Sequence, residues 1–301
     1  MKSIVLILLT GLCLISTANA QQGSDIYMGE LRIGEEANVS NLQAVTNNPA
    51  YTNQPYFFNA SSLFFTQELK GEEAQNGQMD IFVYDLPSKS VRNVSQSSES
   101  EYSPTPTPDG NGLSVIRVNA EGKQELWQLG FSGEPLQHYV PAIEPVGYQV
   151  WMNEKELLLF VLGEPHTLQK VSIDKPNNKG AVIDDNIGAS LYQVNNSDWF
   201  LYSRAADKTE LKAYHQKTGV KKVLAELPKG SQYFSVSANG NVVTSDGNSL
   251  YYTEVKLASD GDLSSEGEWS KVTVEHAKCG SGVSRTAISP DGKTVALVCP
   301  H

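Results

Sequence analysis

The chain is short of reactive side chains, of positive charge and of helix signals. Among 301 residues there are three cysteines, four methionines and five histidines. Lys and Arg number 23 against 34 Asp and Glu, a formal net charge of −11. Such a surface repels nucleic acid and anionic lipid, and no basic cluster contradicts that, so nucleic acid is excluded as a partner. Beyond residue 20 no apolar run is long enough to span a bilayer, so membrane insertion is not expected either. Long amphipathic helices are also missing. From Gln21 onward the sequence consists of short apolar or alternating runs broken by Gly, Pro, Asn and Asp, which is an all-β pattern.

The first twenty residues read as a leader rather than as structure. Lys2 gives a positive start, Ile4 to Ile15 an apolar run, and Ala18-Asn19-Ala20 a small-x-small cleavage site. The expectation is a signal peptide over 1–20, a mature chain beginning at Gln21, and a periplasmic or secreted location. Leu12 stands where a lipoprotein would need a small residue before Cys13. One domain is expected over 21–301, since all-β folds reach about 280 residues undivided. Cleavage leaves two cysteines, Cys279 and Cys299, and in an oxidising compartment a disulfide between them is the expectation. Two free thiols or a metal site are the alternatives, and neither has His or Cys neighbours in support.

What the chain does have is one repeated turn. Ser289-Pro290-Asp291-Gly292-Lys293 joins the apolar run ending at Ile288 to the β-branched run from Thr294 to Val298. Pro290 presets φ, Asp291 can bond its own backbone, and Gly292 accepts positive φ. The turn has an echo at Thr107-Pro108-Asp109-Gly110 and a weaker one at Ser237-Ala238-Asn239-Gly240. Read at that period, the chain divides into units of about 45 residues with four strand candidates each, the spacing of propeller blades. Gly71 to Gly77 and Ala258 to Glu268 are read as exposed loops.

The last unit is incomplete, and Asp25 to Leu31 together with Asn38 to Leu42 supply strands of the missing kind. The predicted fold is therefore an all-β, six-bladed β-propeller closed by N-terminal strands that complete the C-terminal blade, which leaves no exposed sheet edge. A β-sandwich is the rival, but it does not call for the same turn chemistry at repeat spacing. A closed ring also makes a monomer the default.

The Pro-Asp-Gly hairpins and the strand Asp80-Ile81-Phe82-Val83-Tyr84-Asp85 resemble the repeats of TolB-like, WD-repeat-like propellers of bacterial periplasms. A group of exported TolB-like proteins of unassigned function is similar through Asn48 to Pro55, Glu101 to Thr105, Val146 to Trp151, Phe160 to Pro165, Asn186 to Leu191 and Ser289 to Gly292. The resemblance implies a propeller. TolB carries an α/β domain before its propeller, for which this chain has no room, so membership of the Tol-Pal system is not implied. In the group His commonly stands where this sequence has Gln149 and Tyr192, so no histidine-based centre, cofactor or metal is expected here.

In a propeller the inner strand of each blade starts near the mouth of the central channel. Asn53, Gln54, Glu101, Tyr102, Tyr148, Gln149, Tyr192, Gln232, Tyr233 and Arg285 fall at such starts. They predict a polar, tyrosine-lined pocket with one acid and one base, suited to recognition. The alternative is that they only bond neighbouring blades and channel water. His138, His166, His215, His276 and His301 sit at dissimilar places and are read as solvated surface. Cys279-Gly280-Ser281-Gly282 lacks the pattern of a nucleophile elbow. Asp260-Gly261-Asp262 lacks the later ligands of a calcium loop, and Asp184-Asp185 is read as a turn between blades.

The function expected is that of an exported, non-catalytic propeller binding an envelope protein, a peptide or a glycan at one face of the channel. The alternative is a secreted hydrolase or lyase with Glu101 as base and Arg285 as oxyanion partner, with or without a metal at the channel mouth. A purely structural role in the envelope is the third reading.

Overall fold

The computed structural model describes residues 23–70, 77–194, 197–274, 279 and 282–301. The leader, most of the Gly71 to Gly77 loop, His276 and the Gly280-Ser281 pair lie outside the described residues. Every regular element described is a strand. The chain opens with β1 (Ser24–Arg32) and β2 (Asn38–Ala44). Four antiparallel sheets of four strands follow in chain order. They are β3 (Thr52–Asn59), β4 (Ser62–Glu68), β5 (Met79–Asp85), β6 (Ser90–Asn93); then β7 (Ser100–Pro106), β8 (Leu113–Val118), β9 (Gln124–Leu129), β10 (Pro135–His138). The third holds β11 (Val146–Trp151), β12 (Glu156–Val161), β13 (Thr167–Ser172), β14 (Ala181–Asp185), and the fourth β15 (Ile187–Gln193), β16 (Trp199–Ala205), β17 (Thr209–His215), β18 (Lys221–Glu226).

The remaining strands are β19 (Phe234–Val236), β20 (Asn241–Ser245), β21 (Leu250–Leu257), β22 (Leu263–Ser265), β23 (Ser270–Val274), β24 (Arg285–Ile288) and β25 (Thr294–Pro300). With β1 and β2 they form a single nine-stranded sheet in the order β19-β20-β21-β23-β2-β1-β25-β24, with β22 on the side of β21. This differs from the six separate sheets expected. β1 does add to β25, antiparallel from Ser24↔Pro300 to Glu30↔Thr294. However, β2 also pairs in parallel with β23, Asn38 with Thr273 and Val39 with Val274. The physical cause is a shared apolar cluster: Val39, Val272, Leu250, Val243 and Leu297 are buried together and draw the two outer strands into contact. The segment Ala258 to Glu268 also departs from the exposed loop expected, because β22 pairs with the end of β21 and buries Leu263.

Successive sheets pack through clusters that mix their residues. Ile81 and Phe64 meet Leu113 and Leu129, Ile116 and Leu126 meet Val146 and Leu157, and Leu158 and Phe160 meet Phe200 and Tyr202. Leu201 and Leu211 meet Phe234 and Val242, and Ile26 and Val298 of the nine-stranded sheet return to Phe57 and Phe65 of the first. The sheets therefore close a ring, the architecture of an all-β propeller. A sandwich has no such cyclic series.

The repeated turn forms three times with one geometry. Gly292, Gly110 and Gly240 take φ of 73°, 70° and 84°. Their amides donate to the carbonyls of Ser289, Thr107 and Ser237 at 2.9–3.0 Å. Asp291 accepts from Ser289 Oγ at 2.6 Å and from the Lys293 amide at 3.1 Å, the Asx bonding expected of it. At Gly240 no side chain fits, because a Cβ would lie 2.2 Å from the Val255 carbonyl oxygen.

Candidate functional site

Six strands, β3, β7, β11, β15, β19 and β24, supply residues to one central shaft. Four of them lose register with their neighbour on the way: β3 between Asn53 and Tyr56, β7 between Tyr102 and Thr105, β11 between Val146 and Tyr148, β15 between Ile187 and Leu191. A bulge of this kind re-aims side chains that strict alternation would place elsewhere. In β3 and β7 the residue inside the bulge precedes a proline and holds left-handed backbone, Gln54 at φ 56° and Ser103 at φ 54°.

The shaft has two connected chambers. The smaller, about 60 Å³, is lined among others by Gln54, Ser103, Tyr148, Gln149, Tyr192 and Arg285. The larger, about 390 Å³, is lined by Trp151, Tyr192, Gln193, Val236 and residues of the repeated turns, Thr107, Pro108, Ser237 and Pro290. Tyr56, Thr105, Gln149, Leu191 and Tyr192 belong to both. The roomier end thus lies at the hairpin-turn face, opposite the strand starts where the sequence places the pocket.

A chain of hydrogen bonds circles the smaller chamber. Arg285 Nη2 donates to Tyr148 Oη at 2.9 Å, and Gln54 Nε2 reaches the same oxygen at 3.3 Å. Gln54 Oε1 accepts from the Ser103 amide at 2.8 Å and from Thr66 Oγ1 at 2.9 Å. Gln149 Nε2 donates to the carbonyls of Ser103 and Ser114, each at 3.0 Å. Arg285 itself is held by rings: its guanidinium carbon lies 3.8 Å from the Tyr233 ring centroid and 5.3 Å from that of Tyr148. Among the described residues no carboxylate comes within 4 Å of it. Its Nε is buried without a hydrogen-bond partner, as are Gln149 Oε1 and Ser103 Oγ.

Burial works against the charge on Arg285, but the attraction of the Tyr148 and Tyr233 phenols in their ionised form, with the Tyr148 hydrogen bond, outweighs it and the guanidinium holds its proton above the ordinary arginine value. Burial likewise raises Tyr148, and there the charge and hydrogen bond of Arg285 prevail, leaving the phenol more acidic than usual. Tyr51 and Tyr192 lack such a bond, and burial pushes both well up.

The structure thus brings Gln54, Tyr148, Gln149, Tyr192 and Arg285 together on the chamber, with Tyr233 stacked behind Arg285. The other expected residues lie elsewhere. Glu101 is fully buried between β7 and its neighbours, where Ser97 bonds one oxygen and Arg117 lies 3.4 Å away. Its other oxygen has no partner, and burial pushes the carboxyl up to about 7. Tyr102 packs beside Ile116 and Val146, Asn53 accepts from the Gln54 amide, and Gln232 is exposed. Tyr51 and Ser103 are not among the expected site residues. The x-Pro pairs Gln54-Pro55 and Ser103-Pro104 were the available signal for the bulges.

Several surface expectations change. His138 is partly buried and stacks on Trp127 at 4.8 Å and His215 meets Trp199 edge-on, while His301 stays exposed, 3.1 Å from Asp25. Asp184 lies within β14, one residue before its end, instead of standing in a free turn, and it pairs with Lys212 at 2.6 Å and accepts from Tyr202 Oη at 2.6 Å. Asp262 pairs with Lys222. Among the described residues no three His, Cys, Asp or Glu side chains gather into a group able to hold a metal. Cys279 and Cys299 form a disulfide with Cα atoms 4.9 Å apart. No helix among the described residues is long and apolar enough to cross a membrane.

No protein-family model and no curated protein matches the chain. Solved structures do. A putative TolB from Agrobacterium tumefaciens is similar at a TM-score of 0.65 and 13% identity, over 93% of this chain and 99% of that one. A gluconolactonase from Xanthomonas campestris gives 0.60 at 10% identity, over 93% and 98%. A periplasmic gluconolactonase from Pseudomonas aeruginosa gives 0.53 at 17% identity, over 91% and 88%. At these identities the likeness is one of fold, and it spans proteins of different activity.

Proposed function

We propose that this chain is an exported, TolB-like propeller whose work is to bind a ligand in its central shaft, with no chemistry of its own. The reading rests on one observation above the others: a half-buried arginine held between two tyrosine rings, lining a chamber and, among the described residues, without a carboxylate partner. An arginine so placed serves recognition, because its fixed fork and charge are ready for a group that the protein does not itself supply. The ligand is a protein segment, a peptide or a glycan. We take the nine-stranded sheet as two blades, six in all, because Val243 and Leu250 from one half face Val295 and Leu297 from the other as separate sheets do elsewhere in the ring. Residues 1–20 are proposed as the leader and 21–301 as one domain. Export is supported by the disulfide and by the likeness to a periplasmic protein.

A second reading draws support from the two gluconolactonases among the similar structures. It needs an acid–base pair in the shaft, and the pair first in view, Glu101 with Arg285, is divided between a buried inter-sheet position and the chamber. Crosslinking of the exported protein in cells, with mass spectrometry of what co-purifies, tests the first reading. A recurrent partner that is lost on changing Tyr148 and Arg285 supports it. Turnover of a lactone or glycan by the purified protein, with no partner captured, replaces it with the second.

A further inference from the structure

Arg285 lines only the smaller chamber, and the larger one has a chemistry of its own. Among the described residues, none that lines it is Asp, Glu, Lys, Arg or His. Most of its polar side chains are already engaged with the protein. Trp151 Nε1 donates to Ser114 Oγ at 3.0 Å, Thr107 Oγ1 to Asp109 Oδ1 at 2.5 Å, and Gln193 Nε2 to the Ser197 carbonyl at 2.9 Å, while Ser237 Oγ accepts the Asn241 amide at 3.1 Å. Two phenols are the exception. Tyr56 and Tyr192, each only partly buried, line both chambers, and neither hydroxyl has a hydrogen-bond partner among the described residues. We infer that the larger chamber receives a neutral aromatic group with a hydroxyl or N–H at its tip, a phenol or an indole, which enters from the hairpin-turn face and meets these two hydroxyls. The inference rests on the binding-module reading.

Each property of the wall selects one property of the ligand. A charged group would give up its water with no counter-charge to receive it, so an acid or an amine is disfavoured. A sugar ring would bury several hydroxyls where few free partners remain, and each hydroxyl left unpaired carries the full cost of its desolvation. An apolar body suits Val236 and Ile288, and a flat one suits the rings of Tyr56, Tyr192 and Trp151, since aromatic pairs gain beyond the area they bury. The tip is polar because the two free hydroxyls call for a partner; burial keeps both phenols neutral, able to donate and to accept. About 390 Å³ falls within the range of small-ligand pockets, roughly 300–1,000 Å³, and accommodates a substituted ring. The rim lies at the repeated turns, where Pro108, Ala238 and Pro290 are exposed.

The test is ligand-observed NMR titration of the full mature protein with p-cresol, 3-methylindole, toluene, methyl glucoside and a tyrosine tripeptide blocked at both ends with glycine neighbours. The phenol and the indole are expected to bind more tightly than toluene by about threefold to tenfold, the worth of one neutral hydrogen bond, and methyl glucoside not to bind. Tighter binding of the tripeptide than of p-cresol makes the source a tyrosyl residue of a partner, and weaker binding makes it a free small molecule. Tyr56→Phe with Tyr192→Phe should bring p-cresol down to the affinity of toluene and leave toluene itself unchanged, because those hydroxyls make no bond within the fold. Ala238→Trp, at the exposed rim, should abolish binding of all three small aromatic probes, and it decides the matter if the double variant does not fold. Methyl glucoside binding as tightly as p-cresol overturns the inference, as does toluene matching p-cresol, p-cresol affinity unchanged in either variant, or no saturable binding at all. A crosslinked partner retained under those results leaves the binding module standing and removes the aromatic group alone.

Discussion

The side-chain oxygen of Gln54 accepts the Ser103 amide at 2.8 Å, and both residues hold left-handed backbone, at φ 56° and 54°. They occupy the same bulge in adjacent inner strands, so one strained residue secures the other across the shaft. Non-glycine residues in this conformation cost about 1–2 kcal/mol, and such outliers persist where surrounding bonds over-determine them.

The two ends of that bond respond oppositely to mutation. Gln54→Ala removes the acceptor of both the Ser103 amide and the Thr66 hydroxyl, and should cost about 1–3 kcal/mol in denaturant unfolding. Ser103→Gly keeps the donating amide and relieves the left-handed strain, so it should leave stability level or raise it by up to about 1 kcal/mol. A clear loss in Ser103→Gly would show that the hydroxyl, and not the backbone, is the structural element here.

Glu101 sets a pH dependence. Burial pushes its carboxyl up to about 7, against the hydrogen bond from Ser97 and the charge of Arg117. The folded state then binds a proton that the unfolded chain has released above its ordinary value of 4.5. Stability from this group is complete below that value and falls as the pH rises toward 7, by about 3 kcal/mol at most. Unfolding midpoints measured from pH 4.5 to 8 should decline for the wild type and stay flatter for Glu101→Gln. Parallel curves would mean that Glu101 is ionised in the fold.

Much of the ring could be read from the sequence because turns and strands are local. Pro290-Asp291-Gly292 and its two echoes state their geometry outright, and the Asp25 to Leu31 run reads as a strand of the kind the last unit lacks. The parallel contact of β2 with β23 is invisible locally, since it arises from an apolar cluster spanning Val39, Val272 and Leu297. The site divides the same way. Strand starts located Tyr148, Gln149, Tyr192 and Arg285, but strict alternation along β7 could not say that the bulge at Ser103 sends Glu101 into an inter-sheet core. A single residue of register separates the shaft from the core.

Asp184 should behave in the opposite sense to Glu101. Burial raises its pKa, but the Lys212 and Tyr202 bonds dominate and hold the carboxyl below the usual range. Its contribution is therefore present above about pH 4 and is lost as the pH falls through the depressed value. Asp184→Asn leaves Lys212 without its carboxylate partner, while Arg204 keeps Asp185, and should cost about 2–3 kcal/mol at pH 7. The difference between variant and wild type should narrow toward pH 3 in urea titrations, and a constant difference would assign the loss to packing.

The disulfide carries the last prediction. Cys299 lies on β25, between β24 and β1, and Cys279 precedes β24 by six residues, so the bond closes a loop of 20 residues around the final hairpin. Cross-linking a loop of this length stabilises by about 3 kcal/mol, chiefly by limiting the unfolded chain. β25 is also where the two ends of the chain meet, through its pairing with β1 from Ser24 to Glu30. Loosening it exposes the edges of both strands, and an open edge invites pairing between molecules. Cys279→Ser with Cys299→Ser should therefore lower the unfolding midpoint and increase aggregation on heating, while Gly29 and Ile26 amides in β1 lose protection from hydrogen exchange before those of β12. Protection lost uniformly across the ring would mean that the bond stabilises the whole fold without bearing on its closure.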